Sequence, residues 1–517
     1  MQKASEMKHL SRVYSAELEG INAKLIEVEV DINIGLHSFN IVGLADRATN
    51  EAKERVSSAL KNSGVKPPAR ENRKITVNLA PADIKKTGSQ YDLAIAVGYL
   101  LASGQIRNFE TEDKIFVGEL SLEGAVRSIS GALNICRLAK KLGFKYLFLP
   151  KQNARQAAIV SEIKIVPVSN LEELILHLED RQPVDFQPKT EFIPGGDESL
   201  VDISEIKGQE NAKRALTVAA AGGHHLLMSG PPGAGKTMMA QALISILPPP
   251  SLEEAIEITQ IYSAANMLKE NDFINFRPFR SPHHTASPIS IVGGGPNPKP
   301  GEISLAHRGI LFLDELPEFR RDLLEALRQP LEAGQVNVSR VKNTVSFPAK
   351  FSLIAAMNPC PCGYFGDSEK ECRCTANEIF RYQKKISGPL LDRIDIQIEV
   401  PRVKIEDLRD KRQGDKSEEV RNRVAKTREI QRGRLSKIAP QIRTNAEMSS
   451  RQAEQFVKFD AGAENFLKNV LEKSFVSARG YYRILKIART IADLEEKELV
   501  GAEHLAEAFQ YRVREKE

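Results

Sequence analysis

Residues 230–237 read GPPGAGKT and combine glycines, a lysine and a threonine at the spacing G-x-x-x-x-G-K-T. An apolar run precedes them, and a helical pattern, MMAQALISIL, follows. Glycines let backbone N–H groups approach phosphates, a helix N-terminus favours negative charge, and a lysine at this position reaches the β- and γ-phosphates. The stretch therefore predicts a nucleotide phosphate-binding loop. Its members are Gly230, Pro231, Pro232, Gly233, Ala234, Gly235, Lys236 and Thr237.

Two acidic residues end a later apolar run, GILFLDE, at residues 309–315. A continuous apolar run of this length fits a strand buried in a parallel sheet. At its end Asp314 would join Thr237 in holding Mg²⁺, and Glu315 would activate the attacking water as general base. Acids at a strand end can also be solvated turn residues, but a phosphate loop in the same chain favours the catalytic interpretation.

An asparagine ends the next apolar run, FSLIAAMNP, at residues 351–359. Ligands of open α/β sheets bind at the carboxyl edge of the strands. We therefore expect Asn358 to contact the γ-phosphate and the attacking water.

Four of the five cysteines lie in residues 360–374, CPCGYFGDSEKECRC, as two C-x-C pairs. In a reducing compartment such a cluster binds metal more often than it forms disulfides. We expect a closed tetrahedral Zn²⁺ site that pins this loop, with free thiols and an iron–sulfur cluster as the alternatives. The fifth cysteine, Cys136, lies in a helical pattern and is expected to be a buried structural thiol. The predicted zinc ligands are Cys360, Cys362, Cys372 and Cys374.

Length and composition set outer bounds on the function. The chain has 517 residues, 41% of them hydrophobic, which predicts about three domains with apolar cores. The N-terminal residues do not resemble a signal peptide, and the sequence contains no apolar run of about 18 residues that could span a membrane. A cytoplasmic protein without a membrane partner is expected. The net charge of +5 permits a nucleic-acid partner without requiring one.

Five segments together resemble the motifs of an AAA+ ATPase: GPPGAGKT, LFLDE, AAMNP, GPLLDRIDI and SARGYYRILKIARTIADL. They are most similar to the branch that includes magnesium-chelatase ATPase subunits and MCM helicases. The whole chain resembles the ComM/YifB family of bacterial magnesium-chelatase-like proteins. The resemblance implies that Arg393 is an arginine finger acting on the ATP of a neighbouring subunit and that Arg479 is the sensor-2 arginine. Arg483 is a weaker candidate for the sensor role, and a hexameric ring is implied.

Two further segments resemble features of that branch. Residues 279–309 are rich in glycine and proline and resemble the family's insertion in the second AAA+ helix. Residues 335–347, QVNVSRVKNTVSF, form two alternating runs and resemble the pre-sensor hairpin that points into the central pore. Arg340 and Lys342 would then face nucleic-acid phosphates, although a basic hairpin tip can also simply keep a strand pair soluble.

The first 180 residues alternate strand-like and helical runs and predict an independent α+β domain. It resembles the Lon-protease-like fold that the ComM/YifB family carries ahead of its ATPase. Lon-type proteolysis uses a serine–lysine dyad. In this sequence the resemblance places Gln90 at the serine position and Ile135 at the lysine position, while Ser89 is one residue out of register. Peptidase activity is therefore not expected, and the domain is interpreted as a nucleic-acid or subunit-docking module.

The expected fold class is a multidomain α/β protein. Its parts are a Lon-protease-like α+β domain at 1–180, a linker at 181–200, an AAA+ phosphate-loop core with a parallel sheet at 201–400, and a C-terminal helical lid at 401–517.

Three classes of function follow from the resemblance. The preferred one is a ring-forming, ATP-driven DNA motor with ATP, Mg²⁺ and Zn²⁺ as cofactors, which acts on branched or single-stranded DNA as a branch-migration helicase in natural transformation. The second is a chelatase-type ATPase that remodels a protein partner. The third, an ATP-dependent protease, is disfavoured by Gln90 and Ile135. An ATPase core alone does not identify what it moves.

Overall fold

The structure is a computed structural model. It describes residues 9–68, 72–160, 162–195, 201–268, 273–295, 298–339, 344–367, 369–404, 406–407, 414–439, 441–473 and 477–512.

The described strands are short in the second half of the chain and longer near the N-terminus. In chain order they are β1 Leu10–Glu19, β2 Asn22–Ile34, β3 Ser38–Val42, β4 Arg73–Ala80, β5 Lys114–Phe116, β6 Glu119–Leu120, β7 Val126–Arg127, β8 Tyr146–Pro150, β9 Lys164–Val168, β10 Leu226–Ser229, β11 Phe279–Arg280, β12 Gly293–Gly294, β13 Lys299–Pro300, β14 Ile310–Leu313, β15 Gln335–Ser339, β16 Thr344–Pro348, β17 Ser352–Met357 and β18 Ile396–Glu399.

The described α-helices alternate with these strands until residue 400 and then follow one another. In chain order they are α1 Arg47–Asn50, α2 Ala52–Asn62, α3 Asp92–Ala102, α4 Ala132–Leu142, α5 Lys151–Ala157, α6 Leu171–Leu178, α7 Glu210–Gly222, α8 Lys236–Ser245, α9 Leu252–Ala264, α10 Pro288–Val292, α11 Glu302–Leu305, α12 Arg321–Ala326, α13 Arg328–Ala333, α14 Ala376–Gln383, α15 Gly388–Leu391, α16 Ser417–Leu435, α17 Ser450–Phe456, α18 Ala461–Lys473, α19 Ala478–Leu494 and α20 Ala502–Gln510.

The chain divides into two compact units. The first contains residues 1–193 together with 255–274, and the second contains 194–254 and 275–517. The segment 255–274, which the sequence places in the ATPase core, therefore clusters with the N-terminal unit. Ile256 and Phe273 of this segment pack against an apolar cluster of that unit.

The first unit is built on a seven-stranded mixed sheet in the order β3-β4-β2-β1-β5-β8-β9. The antiparallel pair β1–β2 and the parallel strands β5, β8 and β9 share this sheet. Helix α3 is buried along nearly its whole length because its sequence, DLAIAVGYLLA, is almost entirely apolar. Cys136 on α4 is fully buried, which confirms the expected structural thiol, and burial raises the pKa of its thiol to about 12.

The second unit is built on a five-stranded parallel sheet in the order β11-β14-β17-β10-β18. The run ILFL of β14 is apolar at every position because both faces of this strand are covered. Ile310 and Phe312 pack into one core, whereas Leu311 and Leu313 pack into another on the opposite face. Strands β14, β17 and β10 thus lie side by side. Because they are parallel, Asp314, Asn358 and the phosphate loop follow these strands at the same edge of the sheet.

The C-terminal helices of the second unit pack on the same core as the phosphate-loop strand. Val420 and Val424 of α16 and Ile484 and Ile487 of α19 join Leu226 of β10 in one apolar cluster. Helix α16 has a highly polar sequence, yet its apolar residues share the face that is buried.

The structure confirms the expected fold class of a mixed α/β protein with a parallel-sheet core and a helical C-terminal region. Strands β15 and β16 pair in antiparallel register from Gln335–Pro348 to Ser339–Thr344, as expected of the hairpin. Its two basic residues, Arg340 and Lys342, lie outside the described residues. In the part of the chain that the structure describes, every helix is too short or too polar to cross a bilayer.

Candidate functional site

The phosphate loop connects the central strand β10 to the first turn of α8. Gly233 and Gly235 adopt the left-handed backbone region, with φ values of 79° and 85°. A side chain at either position would meet nothing within 4 Å, so glycine is required there by the backbone and not by space. Gly230 differs, because a Cβ atom on it would lie 2.1 Å from the Val400 carbonyl oxygen.

Lys236 lies under this loop and is 9% exposed. Its Nζ donates to the carbonyl oxygens of Gly230 at 2.7 Å and Pro231 at 2.9 Å, and to Asn358 Oδ1 at 3.2 Å. Burial lowers the pKa of the lysine, and the nearby Asp314 carboxylate opposes that change. The loop carbonyls of Gly230 and Pro231 thus hold the Lys236 ammonium group inside the turn of the loop.

Thr237 and Asp314 converge from two different strands. The Thr237 hydroxyl donates to Asp314 Oδ2 at 2.9 Å, while Asp314 Oδ1 accepts from the Glu315 backbone N–H at 2.9 Å. A hydroxyl and a carboxylate are hard oxygen donors of the kind that Mg²⁺ prefers. These two side chains therefore fit the predicted magnesium position.

Glu315 follows Asp314 in a left-handed conformation with φ of 52°. Its side chain is 56% exposed, and its Oε2 lies 3.4 Å from Nδ1 of His284. The His284 ring packs beside His283, with centroids 4.1 Å apart, and edge-on against Phe319. Asn358 lies between these groups and the phosphate loop, because its strand, β17, lies between β10 and β14.

His284 was missed by the sequence interpretation. It follows β11, whose parallel neighbour in the sheet is β14. The carboxyl ends of neighbouring parallel strands lie at the same edge of a sheet. A polar residue just after an apolar run could therefore have indicated that His284 lies near Glu315. That run, FR, is only two residues long, which is too short to be identified as a strand from periodicity.

Arg393 lies inside its own chain. Its side chain is 4% exposed, and its Nη2 contacts Glu332 Oε1 at 2.6 Å. Arg479, near the start of α19, contacts the same Glu332 oxygen at 3.2 Å and is 57% exposed. The structure therefore brings the two predicted arginines together at Glu332 and gives neither of them a described contact with the phosphate loop.

Arg483 contacts a different acid, Asp395, which immediately precedes β18. Asp395 also accepts from His224 at 3.3 Å, and the other His224 ring nitrogen lies 2.9 Å from the Thr490 hydroxyl. Burial disfavours the charged carboxylate, yet Arg483 and His224 hold the pKa of Asp395 well below its ordinary value. Arg483 thus joins the helical region to the sheet, which makes it a poor candidate for nucleotide sensing.

The four clustered cysteines converge, with Sγ atoms that all lie within 4.8 Å of one another. Three of these distances are 3.4, 3.6 and 3.7 Å. A tetrahedron with Zn–S bonds of about 2.3 Å has sulfur atoms about 3.8 Å apart. The backbone N–H of Tyr364 is the main cause that lowers the pKa of the Cys362 thiol to about 6. The cluster Cys360, Cys362, Cys372 and Cys374 therefore fits a tetrahedral metal ion.

The cysteine loop also contacts the phosphate loop. A Cβ atom on Gly363 would lie 2.6 Å from Cδ of Pro232 and 3.8 Å from Cγ of Asn358. Gly363 itself has φ of 86°, so a larger residue is excluded by both space and backbone. The loop that carries the four cysteines thus packs directly against the phosphate loop and Asn358.

A cavity of about 560 Å³ lies beside the start of the phosphate loop. Gln209, Glu399, Pro401 and Arg402 are among its lining residues. The Val400 backbone N–H donates to the Ser229 carbonyl at 2.7 Å, which ties the cavity wall to β10. Their spacing along the sequence does not predict this cavity, because Gln209 is about 190 positions away from Glu399, Pro401 and Arg402.

In the N-terminal unit the side chains at the protease positions make structural contacts. Gln90 donates to Glu17 at 2.9 Å, and Ile135 is buried in α4. Ser89 donates to Glu119, and the buried Lys86 ammonium donates to the Pro81 carbonyl. The described contacts of Ser89 thus involve a carboxylate and not an amine.

Family comparisons match this chain in three blocks. The family "Magnesium chelatase, subunit ChlI" matches residues 202–408. "Subunit ChlI of Mg-chelatase" matches 28–153, and "Magnesium chelatase, subunit ChlI C-terminal" matches 414–512.

Similar proteins cover nearly the full length. "Competence protein ComM" of Haemophilus influenzae is 43% identical, over 97% of this chain and 97% of its own length. "Uncharacterized protein YifB" of Escherichia coli is 41% identical, again over 97% of both chains. A partial similarity links the chain to "Lon protease" of Rhizobium meliloti, which is 25% identical over 29% of this chain and 20% of its own length.

Proposed function

The chain belongs to the ComM/YifB family of magnesium-chelatase-like AAA+ proteins, and we propose that it is a ring-forming motor that hydrolyses ATP to move DNA. The observation that carries the ATPase part is the meeting of Thr237 and Asp314 at 2.9 Å, beside Lys236 and Asn358. This is the arrangement that phosphoryl transfer requires, with a lysine for phosphate and hard oxygen ligands for Mg²⁺.

Each side chain then has one task in hydrolysis. Lys236 moves its donors from loop carbonyls to the β- and γ-phosphates, and Asn358 orients the γ-phosphate and the attacking water. Glu315 accepts the proton of that water. Thr237 and Asp314 hold the magnesium ion, which neutralises developing charge on the phosphates when it is bound. The cavity lined by Gln209, Pro401 and Arg402 is the proposed place for the base.

Arg393 and Arg479 complete the site in a ring. Arg393 acts in trans on the ATP of a neighbouring subunit, and Arg479 acts on bound nucleotide as sensor 2. An arginine supplied in trans makes hydrolysis depend on assembly, and we propose a homohexamer. Because Arg393 is buried against Glu332 in the single chain, the trans role requires this ion pair to open.

The four-cysteine cluster takes one Zn²⁺ ion and has a structural role. Its sulfur separations suit a closed tetrahedral site. Because Gly363 packs closely against Pro232, a metal ion that fixes the cysteine loop also fixes the phosphate loop. The metal therefore stabilises the nucleotide pocket without touching the reaction.

The proposal that the motor acts on DNA is based on the similarity to ComM. Identity of 43% over 97% of both chains supports a shared role, and the name of that relative links it to competence. We propose branch migration on branched or single-stranded DNA during natural transformation, with the β15–β16 hairpin in the pore. A cytoplasmic location is proposed with it.

A chelatase-type ATPase that remodels a protein partner is the second candidate. It is favoured by the three magnesium-chelatase matches, which cover most of the chain. The two candidates differ in what accelerates hydrolysis. The test is the ATPase rate with a four-way DNA junction, with linear duplex and without DNA. A DNA motor is accelerated most by the junction, whereas equal rates in all three reactions favour the remodelling ATPase.

A further inference from the structure

Glu332 lies between the two arginines to which the proposed function gives roles at the nucleotide. Its Oε1 atom is 2.6 Å from Arg393 Nη2 and 3.2 Å from Arg479 Nη2. Arg393 follows α15, whereas Arg479 belongs to the first turn of α19. One carboxylate oxygen therefore holds two guanidinium groups that come from separate parts of the second unit.

Arg393 is only partly satisfied in this arrangement. Its Nη1 donates to the Pro389 carbonyl at 2.5 Å, but its buried Nε lacks a hydrogen-bond partner among the described residues. A buried donor without a partner is unfavourable, most of all on a charged group. One donor of Arg393 is thus left without a partner among the described residues in this position, and Glu332 is the ion-pair partner that holds the guanidinium there.

Glu332 is also close to the hairpin in the chain. It lies near the end of α13, three residues before β15 begins at Gln335. Gly334, between them, has φ of 64°, and its carbonyl accepts from the Ala349 backbone N–H at 2.8 Å, which closes the base of the hairpin. Only two residues of backbone, Ala333 and Gly334, thus separate Glu332 from the β15–β16 hairpin.

We propose that Glu332 is a positioning residue that couples the hairpin to the arginines. It holds Arg393 and Arg479 within their own chain until DNA against the hairpin displaces α13, and both arginines are then free to act on nucleotide. The Arg479–Glu332 pair is exposed on both sides, at 57% and 45%, and is therefore weak. Arg393 is 4% exposed, so its pair with Glu332 opens only where another anionic group, such as a nucleotide phosphate, replaces the carboxylate. This inference rests on the proposed roles of the two arginines.

The test is the ATPase rate of Glu332→Gln with and without a four-way DNA junction. The amide cannot neutralise either arginine, so the DNA-free rate should rise about threefold, the rate equivalent of one weak ion pair. The ratio of stimulated to DNA-free rate should fall toward one. Glu325→Gln is the matched control, because Glu325 pairs with Arg328 at 2.6 Å on the neighbouring helices, and it should behave as wild type.

Two comparisons separate the possible failures. A DNA-free rate of Glu332→Gln at or below that of wild type overturns the coupling role, whereas a wild type that DNA does not stimulate contradicts the DNA motor instead. If Glu332→Gln does not fold, Glu332→Asp replaces it. The shorter carboxylate cannot reach both arginines, and a DNA-free rate no higher than wild type again overturns the proposal.

Discussion

Thr237 and Asp314 meet across a strand that belongs to neither of them. Their side-chain oxygens are 2.9 Å apart, although Thr237 follows β10, Asp314 follows β14, and β17 lies between those two strands. Asn358 at the end of β17 therefore lies next to both, and it reaches Lys236 at 3.2 Å. The strand order thus brings together four groups to which the proposed function gives roles in phosphoryl transfer.

The first prediction separates nucleotide binding from turnover. Lys236→Ala should abolish ATP binding because the loop loses its only phosphate-directed cation within the described site, while Glu315→Gln should bind ATP and lose turnover. Equilibrium binding of a fluorescent ATP analogue and phosphate release measure the two steps. Lys426→Ala, at an exposed ion pair with Glu496, is the control. Equal nucleotide affinity in wild type and Lys236→Ala would show that this loop is not the phosphate site.

The second prediction concerns action between subunits. Arg393→Ala should bind ATP and fail to hydrolyse it, and so should Glu315→Gln. Mixed rings of the two variants should regain part of the activity, because some interfaces combine an intact base with an intact finger. Phosphate release across a series of mixing ratios measures this gain. If every mixture stays at the level of its components, Arg393 acts within its own chain.

The third prediction concerns the contact between His284 and Glu315. His284→Ala should lower kcat about fivefold, the equivalent of the roughly 1 kcal/mol of one hydrogen bond, with little change in KM for ATP. His284→Asn keeps a polar partner and should recover much of the rate. His283→Ala, next to it in the chain, is the control. A change in KM alone would indicate that His284 contacts nucleotide and does not position Glu315.

The fourth prediction concerns the metal. Elemental analysis of the purified protein should give about one Zn²⁺ per chain, and Cys362→Ser should lose the metal and weaken ATPase activity while ATP still binds. Cys136→Ala, which removes the cysteine outside the cluster, should keep the metal. Metal-free protein with undiminished stability and ATPase activity would rule out a structural zinc site.

The fifth prediction concerns pH. Burial raises the pKa of Glu17 from 4.5 to about 7. Protonated Glu17 therefore stabilises the folded state fully below pH 4.5, and this stabilisation is lost as the pH rises through about 7. In the wild type, the free energy of opening of β1 and β2, measured by hydrogen exchange, should be about 2–3 kcal/mol lower at pH 8 than at pH 5 because of Glu17. Glu17→Gln should lose this difference between the two pH values. Glu19→Gln, on the surface of the same strand, should not. An unchanged pH dependence in Glu17→Gln would mean that Glu17 is already ionised at pH 5.

The sequence predicted the parts of the site that depend on local pattern. The phosphate loop, Asp314, Glu315 and Asn358 each follow an apolar run, and parallel strands bring such ends together. His284 and Glu332 could not be found in this way, because their roles depend on which strands and helices pack side by side. The ion pairs of Arg393 and Arg479 with Glu332 likewise join residues more than 60 positions apart.

The division into compact units was also beyond local pattern. Residues 255–274 lie between two segments of the ATPase core, and only tertiary packing shows that they join the N-terminal unit. Ile256 and Phe273 have ordinary apolar patterns that would suit either core.

The proposed function requires that ATP hydrolysis by a ring of this protein moves DNA. The most direct measurement is the conversion of a labelled synthetic four-way junction into its branch-migrated products with ATP and Mg²⁺, with Glu315→Gln as the hydrolysis-deficient control. We expect products with wild type and none with Glu315→Gln. Junction binding should weaken steeply with salt, because phosphate contacts release counterions. Absence of products from a wild-type ring that hydrolyses ATP would contradict the DNA motor and favour a remodelling ATPase.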